Sequence, residues 1–291
     1  MAKDEPNLLQ RLFAAADSED DLTPVDLEEL EGAALRRRIS LSWLAMLPLL
    51  GVYFSGVKMA ADRGMATRNT SELFCGQLLR IFGSHADTVG FGLLAILTAG
   101  AILRAVSLRW PMGEGVLWSI LEGAGIGLIL GPFLLFAVGL FPAYLPSAEL
   151  VAEVGTPAAS RVALVVGGAA WEELLFRVLV YAALLALGRG LFVHLGANRQ
   201  TARVSAEVFA CILSSLAFAA FHLQAVVGWM GVGGEDFEPR VFVWRMVAGA
   251  LLAIIARTRG LGVAAWAHAI FNVGLVLGAG PGVFLMGNGG S

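Results

Sequence analysis

Residues 161–187 read RVALVVGGAAWEELLFRVLVYAALLAL, an apolar run into which Glu172, Glu173 and Arg177 are set. At about 1.5 Å per residue, a helix of this length crosses a hydrocarbon core about 30 Å thick with residues to spare. Each ionisable group inside such a helix costs roughly 2.5–3.5 kcal/mol on insertion scales, so each needs a partner or a task. Spacing separates the three. Residues four apart share a helical face, whereas residues five apart are turned by about 140°. Glu173 can therefore pair with Arg177, and Glu172 is left as a free carboxylate, the condition a general base requires.

The rest of the chain is built in the same way. Of its 291 residues 57% are hydrophobic and 15% charged, and the mean hydropathy is +0.75. Soluble domains carry roughly 45–50% apolar and about 25% charged residues, so the composition excludes a soluble globular protein. Apolar stretches fall near residues 39–57, 89–107, 116–140, 161–187, 204–232, 240–256 and 261–279. They predict an all-α, polytopic transmembrane bundle of seven spans, or eight if Glu72 to Phe82 dips into the membrane. No internal repeat is evident, which weakens a transporter of duplicated halves. Cys75 and Cys211 are too few for a disulfide framework and make redox chemistry an unpromising reading.

Charge divides the chain at its start. Residues 1–35 hold ten acidic and two basic side chains, while the net charge of the whole is −3. The mean thus conceals an acidic arm, residues 1–38, ahead of a net-basic membrane body, residues 39–291, and the sequence offers nothing for nucleic acid to bind. The arm lacks the basic start and apolar centre of a cleavable signal. Within it Thr23-Pro24-Val25-Asp26 has the form of a helix start, with Thr23 as cap. Arg36, Arg37, Arg38, Arg189, Arg199, Arg203, Arg257 and Arg259 fall on one side of the spans, which the positive-inside rule makes cytoplasmic, amino terminus included. Glu149, Glu153, Glu235, Asp236 and Glu238 fall on the other side; the loop with Lys58, Arg63, Arg68 and Arg80 is discordant.

Two further spans carry polar groups at helical spacing: Phe218-x-x-x-His222 in the fifth and His268-x-x-x-Asn272 in the seventh. His268 and Asn272 share a face and can aim two polar heads at one point, and Phe218 lies one turn before His222, where it can hold the imidazole rotamer. Glu172 stands eleven residues from Arg161 and His268 nine from Arg259, roughly 16 and 14 Å from opposite membrane faces, hence at one depth. His222 reaches that depth only if its helix continues to about Gly233. A single intramembrane histidine is as readily packing glue as chemistry, and an i,i+4 Glu–Arg pair is often structural. Together, however, two carboxylates, two imidazoles, an amide and a guanidinium favour function. Glu122, Arg104 and Arg245, without matching partners, read as structural, His85 and His194 as solvated loop residues, and Gly167-Gly168 as a site of close helix packing.

Glu172-Glu173-x-x-x-Arg177, Phe218-x-x-x-His222 and His268-x-x-x-Asn272, in this order within residues 160–280, resemble the CPBP family, which comprises CAAX prenyl proteases and bacteriocin-processing or immunity (ABI) proteins. The resemblance implies an intramembrane glutamate-dependent endopeptidase with a cavity among its helices. It implies that Glu172 and His222 activate water, that His268 and Asn272 stabilise the oxyanion, and that Glu173, Arg177 and Phe218 support them. The implied substrate is a membrane-associated protein or peptide, the implied location a bacterial inner membrane, and no cofactor is expected. Zinc on Glu172, His222 and His268 is a rival reading, weakened by the absence of a His-Glu-x-x-His motif and by Asn272, a poor zinc ligand. A catalytically silent adaptor or immunity protein that binds a peptide in the same cavity is another. An ion or proton pathway is a third.

Overall fold

The structure, a computed structural model, describes residues 24–65, 68–107, 111–139 and 158–276. The Thr23 cap, most of the acidic arm, Glu149, Glu153 and the last residues of the expected third and seventh spans lie outside them. By its internal contacts the chain divides into two units, Met1–Ile39 and Ser40–Ser291.

Among the described residues the architecture is all-helical. The elements are α1 (Pro24–Ala61), α2 (Thr70–Leu79), α3 (Ala86–Ser107), α4 (Met112–Gly139), α5 (Ala158–Glu173), α6 (Tyr181–His194), α7 (Arg199–Ala220), α8 (Pro239–Thr258) and α9 (Leu261–Val276). Six helical stretches among them are long and apolar enough to cross a bilayer, and α9 adds a shorter apolar helix at Leu261–Gly274. The six correspond in order to six of the seven expected spans, the fifth ending earlier than expected, and the expected seventh is present as this shorter helix. The expected dipping element is α2, joined through the 3-10 turn Arg80–His85 to α3 with a kink at Gly83, whose φ of 60° is open to glycine. The chain is an integral membrane protein.

The short α9 is the hub of the second unit. Ala264, Ala265, Ala267 and Ala269 are fully buried, and such small side chains let neighbouring backbones approach. Met46, Leu49 and Leu50 of α1 pack with Ala169 and Ala170 of α5 against Ala265 and Ala269. On the other side Leu130 and Leu134 of α4 and Trp244, Ala248 and Leu252 of α8 enclose Ala267 and Phe271. The Gly123-x-x-x-Gly127 face of α4 lies directly on α9. A Cβ at Gly123 would stand 2.6 Å from the Val263 carbonyl oxygen, and one at Gly127 2.5 Å from that of Ala267. The Trp266 indole donates to the Ala45 carbonyl at 2.7 Å and ties α9 to α1.

Helices α5 and α6 form one continuous rod interrupted by a π-helical turn, Leu174–Val180, in which the Tyr181 N–H reaches back to the Phe176 carbonyl. The rod turns at Gly196 and returns as antiparallel α7, whose start is capped by the Asn198 side chain. Gly188 packs on Ala206, and the Phe176 and Phe218 rings meet edge to face at 5.2 Å. Both pairs follow one register, and that register places Glu172 opposite His222.

Helix α7 ends at Ala220, so the continuation to about Gly233 does not occur. Leu223 is extended (φ −83°, ψ 135°), and the glycine-rich stretch beyond it contains left-handed Gly231. The backbone groups that leave the helix are satisfied by Glu235, whose N–H donates to the His222 carbonyl and whose carbonyl accepts from Gln224, both at 2.8 Å. No helical extension is needed to bring His222 to Glu172, because the hairpin does so. The turn that joins α8 to α9 stands higher on the bundle than the Gly196 turn: Arg257, near the end of α8, reaches Glu207, well along α7, at 2.7 Å.

Candidate active site

Motif residues from α5, the π turn, α7 and α9 converge. Glu173, with no exposed surface, holds two partners. Its Oε2 accepts from Arg177 Nε at 3.1 Å, and its Oε1 accepts from His268 Nδ1 at 3.0 Å. The expected Glu173–Arg177 pair is present, and the bridge to His268 is additional. Because Nδ1 of His268 is committed to Glu173, Nε2 is the ring nitrogen turned outward, and it faces Oε2 of Glu172 at 3.5 Å.

Arg177 is as deeply placed as its partner, with 3% of its side chain exposed. Its Nη1 and Nη2 have no hydrogen-bond partner, and the guanidinium carbon lies 5.5 Å from the centre of the Phe218 ring. That contact places a cation over an aromatic face. The same ring meets His222 edge to face at 5.1 Å and His268 at 5.8 Å. Phe218 thus spaces both imidazoles and the guanidinium, a wider role than holding one rotamer.

His222 sits just beyond the end of α7. Its Nδ1 is 2.9 Å from the Phe218 carbonyl oxygen, which only accepts, so Nδ1 carries the proton and Nε2 keeps its lone pair. Burial, seconded by the charge of Arg245, pushes the imidazole below its ordinary value against the opposing pull of Glu172. Arg245, read from sequence as unmatched, forms a two-pronged pair with Glu235. Burial alone would raise the Glu235 carboxyl, and Arg245 overrides it and holds it below the usual range. Glu122, also read as unmatched, pairs with Arg259. His85 and His194 are exposed, as expected.

Glu172 does not bond Arg177, in keeping with the spacing argument. Its Oε1 accepts from Asn69 Nδ2 at 3.1 Å, a partner that sequence reasoning missed. Asn69 precedes α2 and belongs to a polar chain that ends on Tyr53, Glu72 and Arg68. The visible signal was Asn69-Thr70-Ser71-Glu72, a helix-start pattern; nothing local announced its reach to residue 172. Asn272 lies one helical turn beyond His268 on α9 and is partly exposed. Among the described residues no three His, Cys, Asp or Glu side chains gather as a group that could hold a metal ion.

An outward-facing carboxylate, two imidazoles of fixed orientation and an amide one turn away can move a proton and receive a developing negative charge. Residues 155–274 match the family model described as type II CAAX prenyl endopeptidase Rce1-like, of the CPBP family. The matched stretch contains all three motifs. No curated protein and no solved structure matches the chain.

Proposed function

From the similarity of residues 155–274 to that endopeptidase family model, we propose that the protein is an intramembrane peptidase that hydrolyses a peptide bond of a membrane-associated protein or peptide through glutamate-activated water. Glu172 takes a proton from water as the oxygen adds to the scissile carbonyl carbon, and Nε2 of His222 accepts a hydrogen bond from the same water. The carbonyl oxygen becomes an oxyanion that receives hydrogen bonds from Nε2–H of a doubly protonated His268, whose Nδ1–H stays on Glu173, and from the Asn272 amide, each worth roughly 3–4 kcal/mol in the transition state. The proton held by Glu172 then passes to the leaving amine as the C–N bond breaks. Glu173 and Arg177 orient His268, and Phe218 spaces the rings.

What carries this reading is the division of labour between adjacent carboxylates. Glu173 is consumed by Arg177 and His268, while Glu172 keeps Oε2 turned toward the His268 imidazole. A silent peptide-binding protein has no evident need for both a free carboxylate and an oriented pair of donors.

The protein is proposed to lie in a bacterial plasma membrane with its amino terminus cytoplasmic, on the strength of the arginine-rich side of its spans. The test compares membrane proteins from cells that carry the native protein with those that carry Glu172→Gln. One precursor should remain uncleaved in the variant, and its sequence shows whether the substrate is prenylated. Identical processing in both strains would overturn the proposal.

A further inference from the structure

Asn69 is held so that only one orientation of its amide is possible. Its Oδ1 accepts the Ser71 N–H at 2.8 Å and caps α2. An oxygen must occupy that position, so the other amide atom, the donor Nδ2, faces Glu172 Oε1 at 3.1 Å. The backbone N–H of Asn69 donates to the Tyr53 hydroxyl at 2.7 Å, and that hydroxyl donates to Glu72 Oε2 at 2.5 Å. Glu72 is paired in turn with Arg68 at 3.0 Å. The far side of the amide is shaped by Gly168, where a Cβ would stand 2.7 Å from Nδ2. Helix α5 thus omits a side chain at the one place where Asn69 must pass to reach Glu172.

A donor on one carboxylate oxygen distinguishes it from the other. When Glu172 takes a proton, the protonated oxygen no longer accepts strongly, whereas the remaining carbonyl-like oxygen still can. A bond from Asn69 to Oε1 is therefore compatible with both protonation states only if Oε2 is the oxygen that titrates, and Oε2 is the one turned toward His268. We infer that Asn69 is a positioning residue for the hydrolysis: its amide pins Oε1 of Glu172 so that Oε2 takes and returns the water proton. The inference rests on the assignment of Glu172 as the base.

The experiment uses the full chain in proteoliposomes and, as probe, a quenched fluorogenic peptide with a farnesylated cysteine followed by two aliphatic residues and a carboxy-terminal residue. Asn69→Asp and Asn69→Ser both retain a good helix cap, so α2 and the fold are kept. Asp has no donor for Glu172, and the Ser hydroxyl is too short to reach it. Expected is a fall in kcat of about tenfold or more with KM within about twofold, and a larger fall for Asp, whose carboxylate opposes that of Glu172. Unchanged kcat in both Asn69 variants, or a rise in KM alone, would overturn the role of Asn69 while Glu172→Gln remains inactive. Full turnover by Glu172→Gln would instead overturn the assignment of the base.

Discussion

Glu173 and His268, ninety-five residues apart in sequence, share a 3.0 Å hydrogen bond inside the bundle, and the same carboxylate is held by Arg177. One buried charge thus orients an imidazole and neutralises a guanidinium. Adjacent glutamates should therefore fail differently. Glu173→Gln leaves Arg177 charged and unpaired in a water-poor interior, a change that costs about 3–5 kcal/mol when a buried pair is broken. Thermal unfolding in detergent should show Glu173→Gln destabilised by that order and inactive, and Glu172→Gln inactive with near-native stability.

Removal of both members of the pair should be gentler than removal of one. Arg177→Met alone strands the Glu173 charge, whereas Arg177→Met with Glu173→Gln leaves no buried ion. The double variant should be more stable than either single variant, as measured by denaturation midpoints. Additive losses would show that the pair is not coupled.

The acid limb of the activity profile is set by His222 if its Nε2 must stay unprotonated. Burial and Arg245 hold this imidazole below its ordinary value, so the neutral form persists to more acidic pH than the usual range near 6.5. Activity should therefore be retained below pH 6.5 and fall only at lower pH. Arg245→Met removes a repelling cation and frees the Glu235 carboxylate beside it, and both changes favour the imidazolium. The limb should move to higher pH, as read from kcat/KM against pH; a limb that stays in place would disconnect Arg245 from His222.

Gly167 and Gly168 should respond differently to the same methyl group. A Cβ at Gly167 would stand 2.6 Å from the Tyr53 backbone nitrogen, which cannot yield, so Gly167→Ala should destabilise the α1–α5 contact by about 1–3 kcal/mol. At Gly168 the clash falls on a side-chain amide. Gly168→Ala should displace Asn69 and reduce kcat with a smaller loss of stability. Paired measurements of melting and turnover separate the two.

The acidic arm should be dispensable for chemistry. A chain that starts at Arg36 keeps the basic cluster ahead of the first span and loses ten carboxylates that anionic headgroups repel. It should insert and cleave at the native rate in proteoliposomes. A shorter chain that inserts but does not cleave would assign the arm a catalytic part.

What the residues foretold and what they withheld differ for a physical reason. Helical periodicity acts over one or two turns, so the Glu173–Arg177 pair and the Phe218–His222 contact could be read directly. The expected continuation of the His222 helix to about Gly233 fails because α7 ends at Ala220, and the α6–α7 hairpin register that joins Gly188 to Ala206 and Phe176 to Phe218, a tertiary relationship, already sets His222 opposite Glu172. The structural reading of Arg245 and Glu122 needed no partners in sequence, and the partners themselves, Glu235 and Arg259, are visible only through tertiary contact. Asn69 belongs with them. Its cap pattern is visible, but its reach to Glu172 depends on Gly168, far along the chain on α5.

The π turn at Leu174–Val180 acts as a phase shifter. Each residue of an α-helix advances the side chains by about 100°, and a wide turn absorbs that advance without changing the direction of the rod. The carboxylates ahead of the turn and the Gly188 packing face behind it are thereby set to different angular origins. Deletion of one residue from the regular helix between the turn and Gly188 would leave an apolar rod of nearly the same length, yet it would swing Glu172 and Glu173 about a quarter of a revolution away from the imidazoles. A hydropathy trace would scarcely register the change.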